Sequence, residues 1–296
     1  MNVNFELYKL FYNVAKNKNI TKTANELMIS QPAISKAIKN LEDQLNCTLF
    51  IRNKTGVVLT EEGKVFYDEI KQAMEIINNA ESKLLEMTNL EYGFLNIGVS
   101  NTLAKKYLLP YIEKFYKEYP NIKINIHTNM TTELIKKARN GIVDIIILNL
   151  PYNVPTDFDK FNLKTIHDCF IASSKFDYLK DKTIKLEELN NYPLILLAEG
   201  SNSRYFLDHF CMQKGIKLNP NFDVASFSLV VEFAKIGFGI AGVTREYILD
   251  ELKNNELFEL NIEPKLDSRN IGAIYLKSKA ISRSSQKFLE MLKKAH

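Results

Sequence analysis

Between Gly63 and about Thr88 the chain has no proline and no second glycine, and Ile70, Ala73, Ile77, Ala80, Leu84 and Met87 recur at 3-4-3-4-3 spacing among Glu and Lys residues. That pattern predicts one helix of about seven turns with a single apolar seam. Thr60-Glu61-Glu62 starts it, with acid in the first turn. Such a helix divides everything else. Residues 1–60 stand before it and residues 91–296 behind it, so 296 residues read as two unequal domains joined by a linker helix over 61–90. The seam suits either a short coiled coil between two copies of the chain or a helix lying on its own domain. Too little chain stands nearby to cover it, which favours the pair.

The net charge of +4 is small, but it is unevenly placed. Residues 1–60 hold eight basic residues against four acidic ones, and residues 61–90 hold three against seven. A basic block followed by an acidic one points to nucleic-acid contact. At 46% hydrophobic and 25% charged, the composition is that of a globular protein and excludes a disordered or collagen-like chain. Cys47, Cys169 and Cys211 are far apart with no C-x-x-C pair, so no disulfide framework or multi-cysteine zinc site is expected. His127, His167, His209 and His296 have no metal-binding spacing and fall in no catalytic motif; no metal and no cofactor are expected. The start lacks a basic segment followed by an apolar run, and charges interrupt every long apolar span. A cytoplasmic protein without membrane contact is the expectation.

In the basic block, Leu7, Leu10, Phe11, Val14 and Ala15 share one helical face, and Ile20–Leu27 forms a second short helix. The turn Met28-Ile29-Ser30 leads into a third, Gln31 to Glu42, with Ser30 as its N-cap and Pro32 in its first turn. Two short helices joined by a tight turn make a helix-turn-helix. Opposite the apolar face of Ile34, Ile38 and Leu41, the third helix would show Gln31, Ser35, Lys36 and Lys39. Gln31 suits adenine, Lys36 suits guanine, and Ser30 and Lys39 suit phosphates. The turn Arg52 to Gly56 and the extended Val57-Val58-Leu59 form a wing, with Arg52 and Lys54 over the DNA backbone or minor groove. Ordinary helical bundles carry the same polar and apolar faces, so spacing alone leaves a DNA reader and a bundle both open.

After residue 93 strands and helices alternate. Strands are expected at 95–99, 122–128, 144–148, 170–172, 193–197, 240–243 and 271–276, and helices at 103–119, 131–140, 204–214, 228–236 and 282–294. This order implies an open, largely parallel α/β sheet, whose ligands bind outside the carboxyl ends of the strands. Ser100-Asn101-Thr102 and Glu199-Gly200-Ser201-Asn202-Ser203-Arg204 are cap clusters at two such places. Helix N-termini, hydroxyls and a guanidinium suit an anion, a carboxylate or an inorganic oxyanion. Ordinary capping accounts for either cluster taken alone. Gly237-Phe238-Gly239 is too short for a dinucleotide loop.

Ala24, Leu27, the run Ile29-Ser30-Gln31-Pro32-Ala33-Ile34-Ser35-Lys36, Ile38-Lys39, Leu41-Glu42, Leu45, Leu49-Phe50-Ile51-Arg52 and Leu59-Thr60-Glu61-Glu62-Gly63 resemble the signature of LysR-type transcriptional regulators. The resemblance implies a winged helix-turn-helix, a linker helix that pairs two chains, and a two-lobed effector domain like the periplasmic binding proteins. It also implies a regulator rather than an enzyme, acting as a homodimer or homotetramer on double-stranded, partly palindromic promoter DNA. By that likeness Gln31, Pro32, Ser35 and Lys36 face bases, while Thr21, Thr23, Ser30 and Arg52 hold the backbone. Ser100, Asn101 and Thr102 match the first effector-contacting loop, Thr128 and Asn149 the ends of the next strands, and Ser201 to Arg204 the opposite lip. Phe227 and the Gly237–Ala241 turn match the wall of the second lobe. Lobe one is placed at 91–162 plus 268–296, and lobe two at 163–267.

The sequence departs from the family in two places: Asn46-Cys47 stands where a glycine-containing turn is usual, and Val243-Thr244 stands for Leu-Pro, leaving Thr244 as a polar contact. Some members sense peroxide through paired thiols near Cys211, but no second cysteine is close in sequence and inert packing fits better. The rival reading is a cytosolic solute-binding protein or small α/β enzyme with a helical leader. The missing export signal and nucleophile–base motif count against it.

Overall fold

The computed structural model describes residues 3–53, 56–88, 93–278 and 281–295. Lys54, His296 and the side chains of Arg52 and Met87 lie outside the described residues. The chain separates into two compact units, residues 1–85 and 86–296.

The first unit is built by α1 (Phe5–Asn17), α2 (Ile20–Leu27), α3 (Gln31–Leu45), the antiparallel hairpin β1 (Phe50–Asn53) and β2 (Gly56–Leu59), and the start of α4 (Glu61–Thr88). Its core is the predicted apolar face of the helices, Phe11, Val14, Ile34, Ile38 and Leu41, closed by Leu49 and Phe50. The Phe11 ring packs on those of Phe50 and Phe66, at 5.3 and 5.1 Å between centroids. Asn46 ends α3 with φ +50°, in the left-handed region. Asparagine tolerates that conformation, which explains how the turn dispenses with the family's glycine. Glu42 ties α3 to the hairpin, since its carboxylate accepts from the amides of Leu49 and Phe50 at 2.7 and 3.0 Å. The Thr60 hydroxyl accepts from the Gly63 amide and donates to the Thr48 carbonyl, fixing the start of α4.

The seam of α4 does not stay on one side of its surroundings. Phe66, Tyr67 and Ile70 pack into the core of this unit, Met74 is buried, and Ala80 and Leu84 are exposed together with Ile76. Ile70 is thus a contact to the unit's own core, Ala73 and Ile77 are half-buried, and Ala80 and Leu84 are uncovered.

The second unit holds β3 (Gly93–Val99), a continuous helical run made of α5 (Asn101–Leu103), one π turn (Ala104–Leu108) and α6 (Leu109–Glu118), then β4 (Ile122–Thr128), α7 (Thr131–Arg139) and β5 (Ile145–Leu150). The fifteen-residue β6 (Phe158–Ala172) follows, then β7 (Thr183–Lys185), β8 (Leu194–Leu197), α8 (Asn202–Gln213), β9 (Phe222–Val224), α9 (Phe227–Lys235), β10 (Ile240–Thr244), α10 (Leu249–Lys253), β11 (Phe258–Glu259), β12 (Asn261–Glu263), β13 (Ser268–Leu276) and α11 (Arg283–Lys294). The main sheet runs β4-β3-β5-β13-β6-β10-β8-β9, with β11 also on β6. Its two outer thirds are parallel: β3 pairs in parallel with β4 and β5, and β8 with β10 and β9. The middle is antiparallel, because β13 opposes both β5 and β6, and β10 opposes β6. The sheet is therefore mixed, which corrects the largely parallel expectation.

The fold has two lobes, and β6 runs from one to the other. It pairs with β13 from Phe158 to His167 and with β10 from Asp168 to Ile171. Helices cover both faces: successive residues of β5 alternate between two cores, Ile145 and Ile147 on one side, Ile146 and Leu148 on the other.

A Cβ built on Gly63 would sit 2.2 Å from the Leu49 carbonyl oxygen. Gly63→Ala therefore has to push the hairpin off the start of α4, and should destabilise the first unit by about 1–3 kcal/mol, read as a lower midpoint of its thermal unfolding.

Candidate DNA-reading surface and ligand cleft

On α3, Ile34, Ile38 and Leu41 are buried, which turns Gln31, Pro32, Lys36 and Lys39 to solvent and leaves Ser35 half-buried. Residues 31, 35 and 39 follow each other at one-turn spacing, and the Gln31 side-chain amide donates to the Ser35 hydroxyl at 3.0 Å. Ser30 caps α3 by position, but its side chain makes no cap hydrogen bond. The hydroxyl is thus not spent within the helix. Thr21 is exposed on α2. Thr23 is not at that surface: it is completely buried, donating to the Asn19 carbonyl and accepting from the Asn17 side-chain amide. Its role is to brace α2 from inside, since a buried hydroxyl must find partners. Met28 and Ile29, in the turn before α3, are exposed apolar residues that sequence reasoning did not single out.

In the second unit, a cleft of about 490 Å³ lies at the carboxyl ends of β3, β4, β5, β8 and β9. Lobe one brings Ser100, Asn101, Thr102, Thr128 and Asn149; lobe two brings Ser201, Asn202, Ser203 and Phe227. These lie where parallel strands hand over to helices, so the starts of α5, α7, α8 and α9 border one space. Ser100 and Ser201 cap their helices, accepting from the amides of Leu103 and Arg204. Asn202 reaches across the cleft to donate to the Asn149 carbonyl.

Arg204 is not part of this lining. Its side chain is 6% exposed, with Nε on both oxygens of Asp208 at 2.9 Å and Nη1 on the Leu197 carbonyl and Asp223. The helical turn that leaves Ser201 to Ser203 in the cleft carries the next residue round to the far side. The charged residue among the described lining is Glu199, at the exposed rim. Asn129, Met130 and Thr131, at the start of α7, and Tyr247, after β10, join the lining without having been foreseen. Thr131 was legible in principle, being the polar start of a helix after a parallel strand; Tyr247 carried no such signal.

Beneath the cleft floor a buried cluster fastens the lobes. Arg269 donates to Asp168 through Nε at 2.7 Å and Nη2 at 2.8 Å, and Nη2 also meets the hydroxyls of Ser203 and Thr244 at 3.0 and 2.9 Å. Thr244 donates in turn to Asp168 at 2.9 Å. Thr244, which stands where proline is usual, is thus a member of the lobe junction.

Residues 89–296 match the family model described as the LysR substrate binding domain, and residues 5–64 match that of the bacterial regulatory helix-turn-helix protein, lysR family. The chain belongs to the LysR family of transcriptional regulators. It is 26% identical over 295 residues to the transcriptional activator CmpR of Synechocystis, covering 98% of this chain and 95% of that one. It is 25% identical to the regulator CysL of Bacillus subtilis, with 98% and 96% covered. Among solved structures, full-length CbnR in complex with its target DNA superposes with a TM-score of 0.75 at 18% identity, covering 99% of this chain and all of that one. The hydrogen-peroxide-bound mutant OxyR of Corynebacterium glutamicum does so with 0.60 at 23%, covering 100% and 94%. At those identities the structural likeness speaks for the fold.

This LysR-type regulator is accordingly a DNA-binding protein with an effector-binding domain, and its families and relatives are regulators, not enzymes. Among the described residues no helix is long and apolar enough to cross a membrane. Burial pushes the Cys211 thiol up to about 11, so thiolate is scarce near neutrality.

Asp168 and Arg269 are both almost fully buried. Asp168→Ala leaves a guanidinium without its counter-charge in the lobe junction, and should cost about 3–5 kcal/mol in urea unfolding of the second unit.

Proposed function

We propose that the chain is a cytoplasmic transcription regulator switched by a small anionic effector, a carboxylate or an inorganic oxyanion, bound in the cleft between its lobes. The observation that carries this reading is the convergence of helix N-termini from both lobes on one hydroxyl-lined space. Partial positive charge at those termini and neutral donors can hold an anion without a lysine or arginine in the lining. The switch needs only that the effector bind one arrangement of the lobes more tightly than the other.

At the other end, Gln31, Pro32, Ser35 and Lys36 read base edges in the major groove, while Thr21, Ser30, Lys39 and Arg52 hold phosphates. Exposed Ile76 and Leu84 on α4 support pairing of two chains through that helix, and two pairs make a tetramer. A dimer of such heads asks for half-sites about one helical turn apart.

Two experiments test this. In gel shifts on the protein's own promoter region, Gln31→Ala should lose sequence preference, whereas Lys39→Ala should weaken binding on all sequences and lower the salt slope by about one. Equal loss of preference in both contradicts the assignment of α3. In thermal-shift screening of carboxylates and inorganic anions, at least one should stabilise the protein, and Thr102→Ala should abolish that effect. A stabiliser that is purely apolar or cationic contradicts the anion reading.

A further inference from the structure

Among the described residues, five buried polar side-chain atoms have no hydrogen-bond partner, and two of these belong to residues lining the cleft: Asn149 Oδ1 and the Tyr247 hydroxyl. Buried polar groups are nearly always paired, because an unpaired one forfeits its hydration and receives nothing back. Two of them in one cleft, from opposite lobes, mark a place shaped for a polar group of the ligand.

Their chemistry defines that group. Tyr247 is 4% exposed and its ring stands edge-on to Phe227, 5.8 Å between centroids. Burial pushes its hydroxyl far above the ordinary tyrosine range, so it keeps its proton and can donate. Asn149 is held at its backbone oxygen by Asn202, and Oδ1 can only accept. A ligand hydroxyl satisfies both, its oxygen accepting from Tyr247 and its hydrogen going to Asn149. A carboxylate oxygen or an unprotonated oxyanion, itself an acceptor, offers Asn149 Oδ1 no hydrogen. An ammonium can donate to Asn149 but has no lone pair to accept the Tyr247 proton.

We infer that the effector is a hydroxycarboxylate, its carboxylate at the helix N-termini and its hydroxyl between Tyr247 and Asn149. This rests on the anion reading of the cleft and narrows it.

The test is isothermal titration of the full-length protein with matched probes, malate against succinate and lactate against propionate, with aspartate and sulfate alongside. The hydroxylated member of a pair should bind about tenfold more tightly than its partner. Tyr247→Phe should erase that difference by weakening the hydroxylated member, without lowering the melting temperature of the unliganded protein, whose Tyr247 hydroxyl has no partner. A merely structural tyrosine would instead lower the melting temperature and weaken both members alike. Equal binding within the pairs, or tightest binding of aspartate or sulfate, overturns the inference but leaves the anion reading standing. Failure of every anion to bind, or binding that Thr102→Ala does not affect, overturns the anion reading and the inference with it.

Discussion

Asp168 and Arg269 meet at the point where the effector domain changes lobes. Asp168 is the first residue of β6 to leave β13 for β10, and Arg269 lies at the start of the strand that crosses back. Burying two charges is expensive, and the cost is recovered only where geometry is good and the remaining hydrogen-bonding capacity is used. Here Nε and Nη2 of the guanidinium meet the carboxylate at two points and two hydroxyls besides, while Nη1 has no partner among the described residues, and both crossing strands, the end of β10 and the first turn of α8 are joined by one cluster. An apolar pair would fill the same space, but it would not set the register between strands drawn from distant parts of the chain.

Through Ser203 that cluster reaches the cleft. Ser203 lines the ligand space and accepts from Arg269, so a ligand bound at the start of α8 acts on a residue tied to both crossing strands. Asn202 spans the cleft from the same helix turn. Ligand contacts and lobe geometry are therefore carried by consecutive residues, which gives differential binding a short path into the fold.

Much of this was legible in the sequence where periodicity is local. The strand at 122–128 is bounded as expected, since alternating residues stand between Pro120-Asn121 and Asn129-Met130. The three helices of the head and the polar stripe of α3 were likewise readable. The long β6 was not, because Asp159, Lys160, Asn162, Lys164 and Thr165 give its first part too little apolar character to separate it from a loop. Arg204 looked like a ligand's counter-charge because a guanidinium at a helix start suits an anion. Asp208, one turn on, was the signal that it is bound locally. Thr23 shows the same limit at the head, where Asn17 and Asn19 turn an apparent surface threonine inward. The Asp168–Arg269 pair joins residues 101 apart and leaves no trace in a single sequence.

The central claim is that an anion in the cleft controls how the heads hold DNA. DNase footprinting on the protein's own promoter region, with and without the anion that most raises the melting temperature, tests it directly. The account predicts a footprint whose extent changes with the anion in the wild-type protein and stays fixed in Thr102→Ala. A footprint indifferent to every anion that stabilises the protein, or one that changes equally in both proteins, would contradict it.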